Sequence, residues 1–259
     1  MRPGTWLRGV TLALAALLGA CASSAEREAE EARKQRLVQT DLQLAIAYME
    51  RNNLAAAKER LEKTLSVSPD DPQVNNVMAV IQWRLKQYDQ ADRHFRTALN
   101  EAPNHPSVNH NFGAYLCDRG RAEDGVKYLE KAAADPTYNG AAEALLNAGV
   151  CLMRKPAPAA AEKYFRDALK LNPRLPGALY YMAKISYDSG RTFTARGFID
   201  RYYEVGQDTP EALLLAYYVE RALKNNDAAA SYAVRLRGKF PDSPETEQLK
   251  RELTGQRTR

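Results

Sequence analysis

Side chains able to do chemistry are few in this sequence, and their spacing matches no catalytic pattern. His94, His105 and His110 are the only histidines among the 259 residues, and none belongs to an HExxH or His-x-x-His arrangement. The sequence contains no GxSxG motif, phosphate-binding glycine loop or zinc-spaced cysteine set. We therefore predict that the protein is not an enzyme and has no metal, no cofactor and no small-molecule substrate. His105 lies in a proline-rich turn and is predicted to be solvated, whereas His110 is a candidate partner contact.

The amino terminus has the pattern of a targeting segment. Arg2 and Arg8 accompany an apolar run, residues 10–18, that is too short to cross a bilayer. The run ends in Leu18-Gly19-Ala20-Cys21, which resembles the lipobox of bacterial lipoproteins. The resemblance implies a signal peptide of residues 1–20, lipidation of Cys21 and, because Ala22 is not aspartate, an outer-membrane location facing the periplasm. An ordinary secretory signal peptide is the alternative.

Residues 21–36 are predicted to be the lipidated cysteine and a polar tether. After Cys21 they contain no apolar residue larger than alanine. We expect coil at first, with helix as an alternative from Ala25, and a flexible coil of this length reaches about 20 Å. A frayed extension of the first helix is the competing interpretation.

Composition argues for a folded body that does not bind nucleic acid. The chain is 45% hydrophobic and 27% charged, which is enough to bury a large core. Its formal net charge of +5 includes Arg2 and Arg8, so the chain without its leader is close to +3. A charge of this size supports solubility and does not indicate a nucleic-acid partner.

From residue 38 onward the chain repeats with a period of 34 residues. Prolines that would end a repeat fall at 69, 103, 173 and 241. Their separations fit this period if one repeat carries two extra residues and proline is missing at some repeat ends, which places six repeats in a domain of residues 37–259. Positions 8 and 20 of the repeats are small with one exception, and position 24 is mostly large. Since small residues let two helices approach closely, each repeat is predicted to form a tight helical hairpin. The repeats are residues 38–71, 72–105, 106–141, 142–175, 176–209 and 210–243.

This pattern resembles the tetratricopeptide repeat. The resemblance implies an all-α superhelix of six helix-turn-helix repeats, with the first helix of each repeat on the concave side. Repeat six departs from the pattern, with Tyr217 at position 8 and Ala233 at position 24. Residues 244–255 are predicted to form a polar-faced capping helix.

More specific features lie within the repeats. Residues 109–155 contain an Asn-x-Asn-Phe-Gly opening and a widened turn, Asp135-Pro-Thr-Tyr-Asn-Gly, and residues 229–245 read AASYAVRLRGKFPDSPE. Together with the lipobox, these segments resemble the type IV pilus biogenesis/stability lipoproteins of the PilF/PilW pilotin group. The resemblance implies a lipoprotein that helps the type IV pilus secretin reach, or multimerise in, the outer membrane. The alternative is a periplasmic scaffold for peptidoglycan-modifying enzymes or for outer-membrane protein assembly.

The concave face of such a repeat array is the predicted partner-binding groove. Its inward positions are largely apolar and suit an amphipathic helix or an extended apolar segment of a partner. Trp83 is the strongest single candidate, because aromatic residues often contribute most to binding. The predicted groove consists of Leu42, Ile46, Met49, Val80, Trp83, Leu146, Val150 and Tyr180.

Two further cysteines lie on the first helices of adjacent repeats. Cys117 and Cys151 occupy positions 12 and 10 of repeats three and four. Because neighbouring helix axes lie roughly 8–10 Å apart, their side chains need not converge. We predict two small buried thiols, with a disulfide as the less favoured alternative.

Overall fold

The computed structural model describes the backbone of residues 5–154 and 158–255 and the side chains of residues 26–154 and 159–255. Within these residues the chain forms thirteen α-helices and no strand, which confirms the predicted all-α fold class. Pairs of consecutive helices pack as hairpins inside each predicted repeat. The helices are α1 (Thr5–Glu50), α2 (Leu54–Val67), α3 (Pro72–Arg84), α4 (Tyr88–Glu101), α5 (Pro106–Asp118), α6 (Ala122–Ala133), α7 (Ala141–Met153), α8 (Pro158–Leu171), α9 (Pro176–Asp188), α10 (Thr192–Tyr203), α11 (Pro210–Ala222), α12 (Asn226–Lys239) and α13 (Pro244–Leu253).

Prolines and capping side chains set where several helices begin. The Asp71 carboxylate accepts hydrogen bonds of 2.9 Å from the backbone N–H groups of Gln73 and Val74. Pro72 follows in the first turn of α3, where a missing N–H leaves no helical hydrogen bond unmade. The four repeat-ending prolines lie between helices, as predicted.

The turn inside most hairpins contains one residue in the left-handed region. At Lys86 it forms a Schellman motif, in which Gln87 N–H donates to the Gln82 carbonyl at 2.8 Å and Lys86 N–H donates to the Trp83 carbonyl at 2.8 Å. This motif ends the first helix of a repeat and reverses the chain into the second. The residues with positive φ in these turns are Asn52, Lys86, Gly120, Gly190 and Lys224.

Small residues bring the two helices of each hairpin into close contact, as predicted. In repeat four, a Cβ added to Gly149 would lie 2.4 Å from the ring of Phe165. In repeat six the large residue is at position 8 and the small one at position 24, since Tyr217 and Ala233 are both buried there. Repeat five has the usual order, with Ala183 at position 8 and Ile199 at position 24. Positions 20 are Ala57, Ala91, Gly125, Ala161, Ala195 and Ala229, and positions 24 are Leu61, Phe95, Leu129, Phe165, Ile199 and Ala233, all of them buried.

The chain divides into two compact bodies, an N-terminal body (Met1–Pro103) and a C-terminal body (Asn104–Arg259). The core of the N-terminal body joins α1, α2 and α3 through side chains such as Val38, Leu61 and Met78. No helix within the described residues is both long enough and apolar enough to cross a bilayer.

The tether is helical, and the expectation of initial coil is wrong. Residues 21–36 belong to α1, which continues without a break into the first helix of repeat one. Residues 26–36 are rich in Ala, Glu, Arg, Lys and Gln, which are strong helix formers, and lack Gly and Pro. The packed segment that follows supplies the nucleus from which such a sequence propagates. At 1.5 Å per residue, a helix over residues 21–36 is about 24 Å long.

In the C-terminal body a disulfide joins Cys117 on α5 to Cys151 on α7, with their Cα atoms 5.4 Å apart. The prediction of two separate thiols is therefore wrong. The distance between helix axes does not give the directions of the two side chains, and here they converge. The Cα separation falls in the range that a disulfide spans.

The capping helix is present as α13, and it closes the C-terminal body. Ser243 caps it by accepting a hydrogen bond of 3.1 Å from the Thr246 N–H. Thr246 and Leu249 are fully buried, and Leu249 joins the core around Leu213, Tyr217 and Leu236.

Candidate protein-docking surfaces

The N-terminal body holds five of the eight predicted groove residues, and they differ in accessibility. Leu42 is 4% exposed and belongs to the core, so its side chain is not available to a partner. Ile46 is 45% exposed on α1. Met49, Val80 and Trp83 are half-buried, and Met49 packs against the core of this body. Ile46 is therefore the most accessible apolar side chain of the predicted set.

A second exposed apolar pair on α1 was missed by the sequence reasoning. Leu37 is 52% exposed and Leu44 is 39% exposed. They lie seven residues apart, which places them on one face of the helix, about half a turn away from Ile46. A signal existed in the sequence, since both leucines fall outside the i, i+3, i+4 set that contains Val38, Leu42 and Ala45.

In the C-terminal body, Leu146 and Val150 are mainly packing residues. Both are half-buried on α7 and contact the core cluster that contains Phe165 and Met182. A Cβ added to Gly177 would lie 2.8 Å from a methyl group of Leu146, so this leucine fills the space beside α9. Their contacts with the core and with α9 therefore make packing the main role of these two residues.

Tyr180 lies in a groove of about 270 Å³ between α9, α11 and the capping helix α13. We call it the tyrosine groove. Its aromatic wall is formed by the Tyr187 and Tyr218 rings, which stack with an interplanar angle of 17° and centroids 6.2 Å apart. The helices place these residues together because Tyr180 and Tyr187 are two turns apart on α9 and Tyr218 faces them from α11. The residues that define the groove are Tyr180, Tyr187, Glu211, Leu214, Tyr218 and Glu245.

Hydrogen bonds hold one tyrosine of the groove in place. The Tyr218 hydroxyl donates to Glu252 Oε1 at 2.6 Å and accepts from Gln248 Nε2 at 2.8 Å. Burial, the Glu252 carboxylate and the Tyr187 ring raise the pKa of Tyr218. Burial, together with Tyr181 and three acidic side chains, raises the pKa of Tyr180 to about 12. The tyrosines are therefore neutral at physiological pH, and the field around them is negative.

His110 has a structural role in the C-terminal body. Its Nδ1 atom lies 2.7 Å from the Tyr138 hydroxyl in the widened turn, and its Nε2 atom lies 2.7 Å from Asn147 Nδ2 on α7. Since Asn147 Nδ2 donates, Nε2 accepts and Nδ1 carries the proton. Burial lowers the pKa of His110, and this effect outweighs the opposing influence of Glu143. His110 thus links α5 to the widened turn and to α7.

The side chain of Cys21, the predicted lipidation site, lies outside the described residues. Within residues 26–154 and 159–255, no three histidine, cysteine, aspartate or glutamate side chains are grouped to hold a metal ion.

Comparison with known proteins agrees with the hairpin architecture. The tetratricopeptide repeat family model matches residues 42–106 and 112–176, which is half of the chain. The type IV pilus assembly protein PilF of Pseudomonas aeruginosa is 28% identical over 211 residues, covering 82% of this chain and 84% of PilF.

Two solved structures are similar over most of the chain. The P. aeruginosa PilF structure has a TM-score of 0.77 at 27% identity and covers 85% of this chain and 99% of PilF. The structure of PilW, described as a widely conserved type IV pilus biogenesis factor, has a TM-score of 0.73 at 31% identity and covers 82% of this chain and 97% of PilW. The chain therefore belongs to the tetratricopeptide repeat family and, within it, to the group of type IV pilus biogenesis proteins that includes PilF and PilW.

Proposed function

We propose that this protein is an outer-membrane lipoprotein that binds the type IV pilus secretin and assists its localisation and multimerisation. The observation that carries the proposal is similarity to PilF and PilW along more than four-fifths of the chain. The protein acts by binding through its helical repeats, and Cys21 is the point of lipid attachment. Its partners are accordingly the secretin and, through the anchor, the outer membrane.

The partner-binding surface in this proposal lies in the N-terminal body. Ile46 offers an exposed apolar side chain, and Trp83 and Val80 are half-buried, so each retains accessible surface. An apolar segment of the secretin would bury these side chains and gain about 25 cal/mol per Å² of apolar surface. The same body carries α1, whose residues 21–36 connect it to the proposed anchor.

Replacement of two surface residues tests the binding step. In cells that depend on this protein for piliation, Ile46→Asp and Trp83→Ala should reduce heat-stable secretin multimers in the outer membrane and abolish surface pili. Truncating an aromatic binding residue reduces affinity by about 2 kcal/mol or more. Helicity and cellular level of both variants should stay normal, because neither side chain is fully buried.

Two exposed apolar residues of the C-terminal body provide matched controls. Leu171 is 58% exposed and Phe193 is 79% exposed. Leu171→Asp and Phe193→Ala should leave secretin multimers and pili at wild-type levels. Normal multimers and pili in folded Ile46→Asp and Trp83→Ala proteins would disprove the assignment of the surface, and loss of murein hydrolase partners instead would favour a scaffold for peptidoglycan-modifying enzymes.

Replacement of the proposed lipidated residue tests the anchor separately. Cys21→Ser should leave the repeats folded but release the protein from the outer-membrane fraction. Labelling with a palmitate analogue should mark the wild-type chain and not the variant. A processed Cys21→Ser protein that stays with the outer membrane at full level, in cells lacking the secretin, would contradict lipid anchoring.

A further inference from the structure

We propose that the tyrosine groove is a docking site for an arginine side chain carried by an extended segment of a partner protein. This site lies in the C-terminal body, and it neither uses the residues of the proposed secretin surface nor depends on that proposal. The groove has the chemistry of a cation site, and an arrangement of the same kind elsewhere in the body already holds an arginine.

The groove combines flat aromatic surface with carboxylates that have no partner of their own. Tyr187 and Tyr218 stack along its wall, and Glu211 and Glu245 lie at its rim on α11 and α13. Neither Glu211 nor Glu245 forms an ion pair or hydrogen bond with any side chain that the structure describes. Aromatic faces and carboxylates both attract cations, so this wall favours a positively charged ligand group.

Positive charge from the chain itself does not fill this site. Lys184 is the cation that lines the groove, and its ammonium group binds Asp188 at 2.9 Å one turn along α9. Among the described side chains, no lysine or arginine lies over the ring of Tyr187 or Tyr218. The nearby Arg221 is instead directed to Tyr217, whose hydroxyl it contacts at 2.9 Å. The net charge that faces a ligand in the groove is therefore negative.

The same body contains a filled version of this arrangement. The Tyr203 and Tyr232 rings stack with centroids 5.5 Å apart and an angle of 25°. The guanidinium of Arg235 lies 4.9 Å from the Tyr203 centroid and 5.3 Å from the Tyr232 centroid, and it is paired with the Asp208 carboxylate. A stacked tyrosine pair beside a carboxylate is thus a geometry that already binds arginine in this fold.

Arginine suits the groove better than lysine. A planar guanidinium can stack on a tyrosine ring and donate several hydrogen bonds to carboxylates at the same time, whereas an ammonium group is compact and strongly hydrated. The groove is lined by residues of three helices, and Leu214 among them offers apolar surface to the methylene chain of the ligand. A peptide segment in extended conformation would present one such side chain to a groove of this volume.

Ligand-observed saturation-transfer NMR on the full chain in detergent tests this proposal, because the method detects weak binding. The probes are acetyl-Gly-Arg-Gly-amide and its citrulline analogue, which keeps the shape and removes the charge. The arginine peptide should bind at least about fivefold more tightly than the citrulline peptide. Glu211→Gln/Glu245→Gln should weaken binding of the arginine peptide by at least about fivefold.

Matched variants separate the groove from general electrostatics. Glu50→Gln/Glu204→Gln removes the same charge from exposed positions outside the groove and should leave binding unchanged. Tyr187→Leu should reduce the preference for arginine over citrulline, because the carboxylates remain but the stacking surface is lost, and Tyr187→Phe, which keeps the ring, should retain it in full. Thermal unfolding of each variant confirms that the body is folded.

Several results would overturn the proposal. Equal binding of the two peptides, no saturable binding, or unchanged binding in folded Glu211→Gln/Glu245→Gln would each do so. Saturable binding of an N-acetylglucosamine trimer that depends on Tyr187, without arginine binding, would assign the groove to a glycan. Self-association that is lost in Tyr187→Leu would assign it to a second copy of this chain.

Discussion

Gly113 on α5 and Gly125 on α6 face each other so closely that neither position has room for a methyl group. A Cβ on Gly113 would lie 2.8 Å from the Gly125 carbonyl oxygen, and a Cβ on Gly125 would lie 2.7 Å from the Gly113 carbonyl oxygen. These two residues are positions 8 and 20 of repeat three, the pair predicted to form the close contact of each hairpin. At both positions a backbone carbonyl oxygen blocks the space and cannot turn aside as a flexible side chain would, and at Gly125 the Cys117 Sγ atom lies still closer, at 2.5 Å.

Gly113→Leu should therefore destabilise the protein by about 1–3 kcal/mol, because the larger side chain forces α5 and α6 apart. Lys127→Leu on the exposed face of α6 is the matched control and should change stability by less than about 0.5 kcal/mol. Urea unfolding followed by circular dichroism compares the two. Equal stabilities would show that the contact between α5 and α6 has been misplaced.

Reduction of the Cys117–Cys151 disulfide should lower the free energy of unfolding by about 2–4 kcal/mol, because the crosslink restricts the unfolded chain. The measurement is urea unfolding with and without dithiothreitol. Cys117→Ala/Cys151→Ala should be as stable in the absence of the reductant as in its presence. If the wild type also gives one curve under both conditions, the cysteines are not joined in the protein.

Lys86→Gly should stabilise the protein by about 1 kcal/mol, since Lys86 has φ of 60° and a side chain is disfavoured in that region. Gly120 and Gly190 already occupy the corresponding turns of repeats three and five. Lys127→Gly, in the middle of α6, should have the opposite sign and destabilise by about 1 kcal/mol. Thermal unfolding measures both, and a destabilised Lys86→Gly protein would refute the turn geometry.

His110 should make the folded state less stable in mild acid. The pKa of its imidazole is lowered from the usual 6.5, so the unfolded chain takes up a proton more readily than the folded chain. Stability is therefore complete above pH 6.5 and declines as the pH falls below that value. Protonated Nε2 would also meet the N–H group of Asn147.

Comparison of the wild type with His110→Gln at pH 7.5 and pH 5.0 measures this effect. At pH 7.5 the variant should be less stable by about 1 kcal/mol through loss of its hydrogen bonds, and the difference should shrink at pH 5.0. His94, whose pKa is also lowered by burial, is present in both proteins and contributes equally. A difference that grows toward pH 5.0 would contradict the lowered pKa.

The sequence was sufficient to predict the hairpins because their determinants are local and repeated. Small residues recur at positions 8 and 20 with one exception, and prolines follow four of the repeats' second helices; all of these residues have the predicted places. Ser243 and Pro244 likewise predicted the start of the capping helix. These features need only a few neighbouring residues for their physical effect.

Features that depend on how helices face one another could not be derived in the same way. Leu42 occupies an inward position of its helix, yet its burial depends on the contacts that α2 and α3 make with α1. The disulfide depends on the directions of two side chains on separate helices, which a distance between axes does not give. The tyrosine groove forms only because α13 lies beside α9 and α11. Its two carboxylates, Glu211 and Glu245, lie on different helices, so the pattern of one helix does not predict that they line the same groove.

Because α1 is unbroken, the number of residues in the tether sets how far the N-terminal body is rotated about the α1 axis relative to the proposed anchor at Cys21. Each residue added to a helix rotates everything beyond it by about 100° and moves it by about 1.5 Å. Two residues inserted among residues 26–36 would turn the proposed partner-binding surface to nearly the opposite side of the α1 axis. Seven inserted residues would restore its direction to within about 20° and lengthen the tether by about 10 Å. In a flexible tether only the length would matter. In a helical tether an insertion also changes the direction in which the proposed partner-binding surface faces, and this direction repeats with the period of the helix.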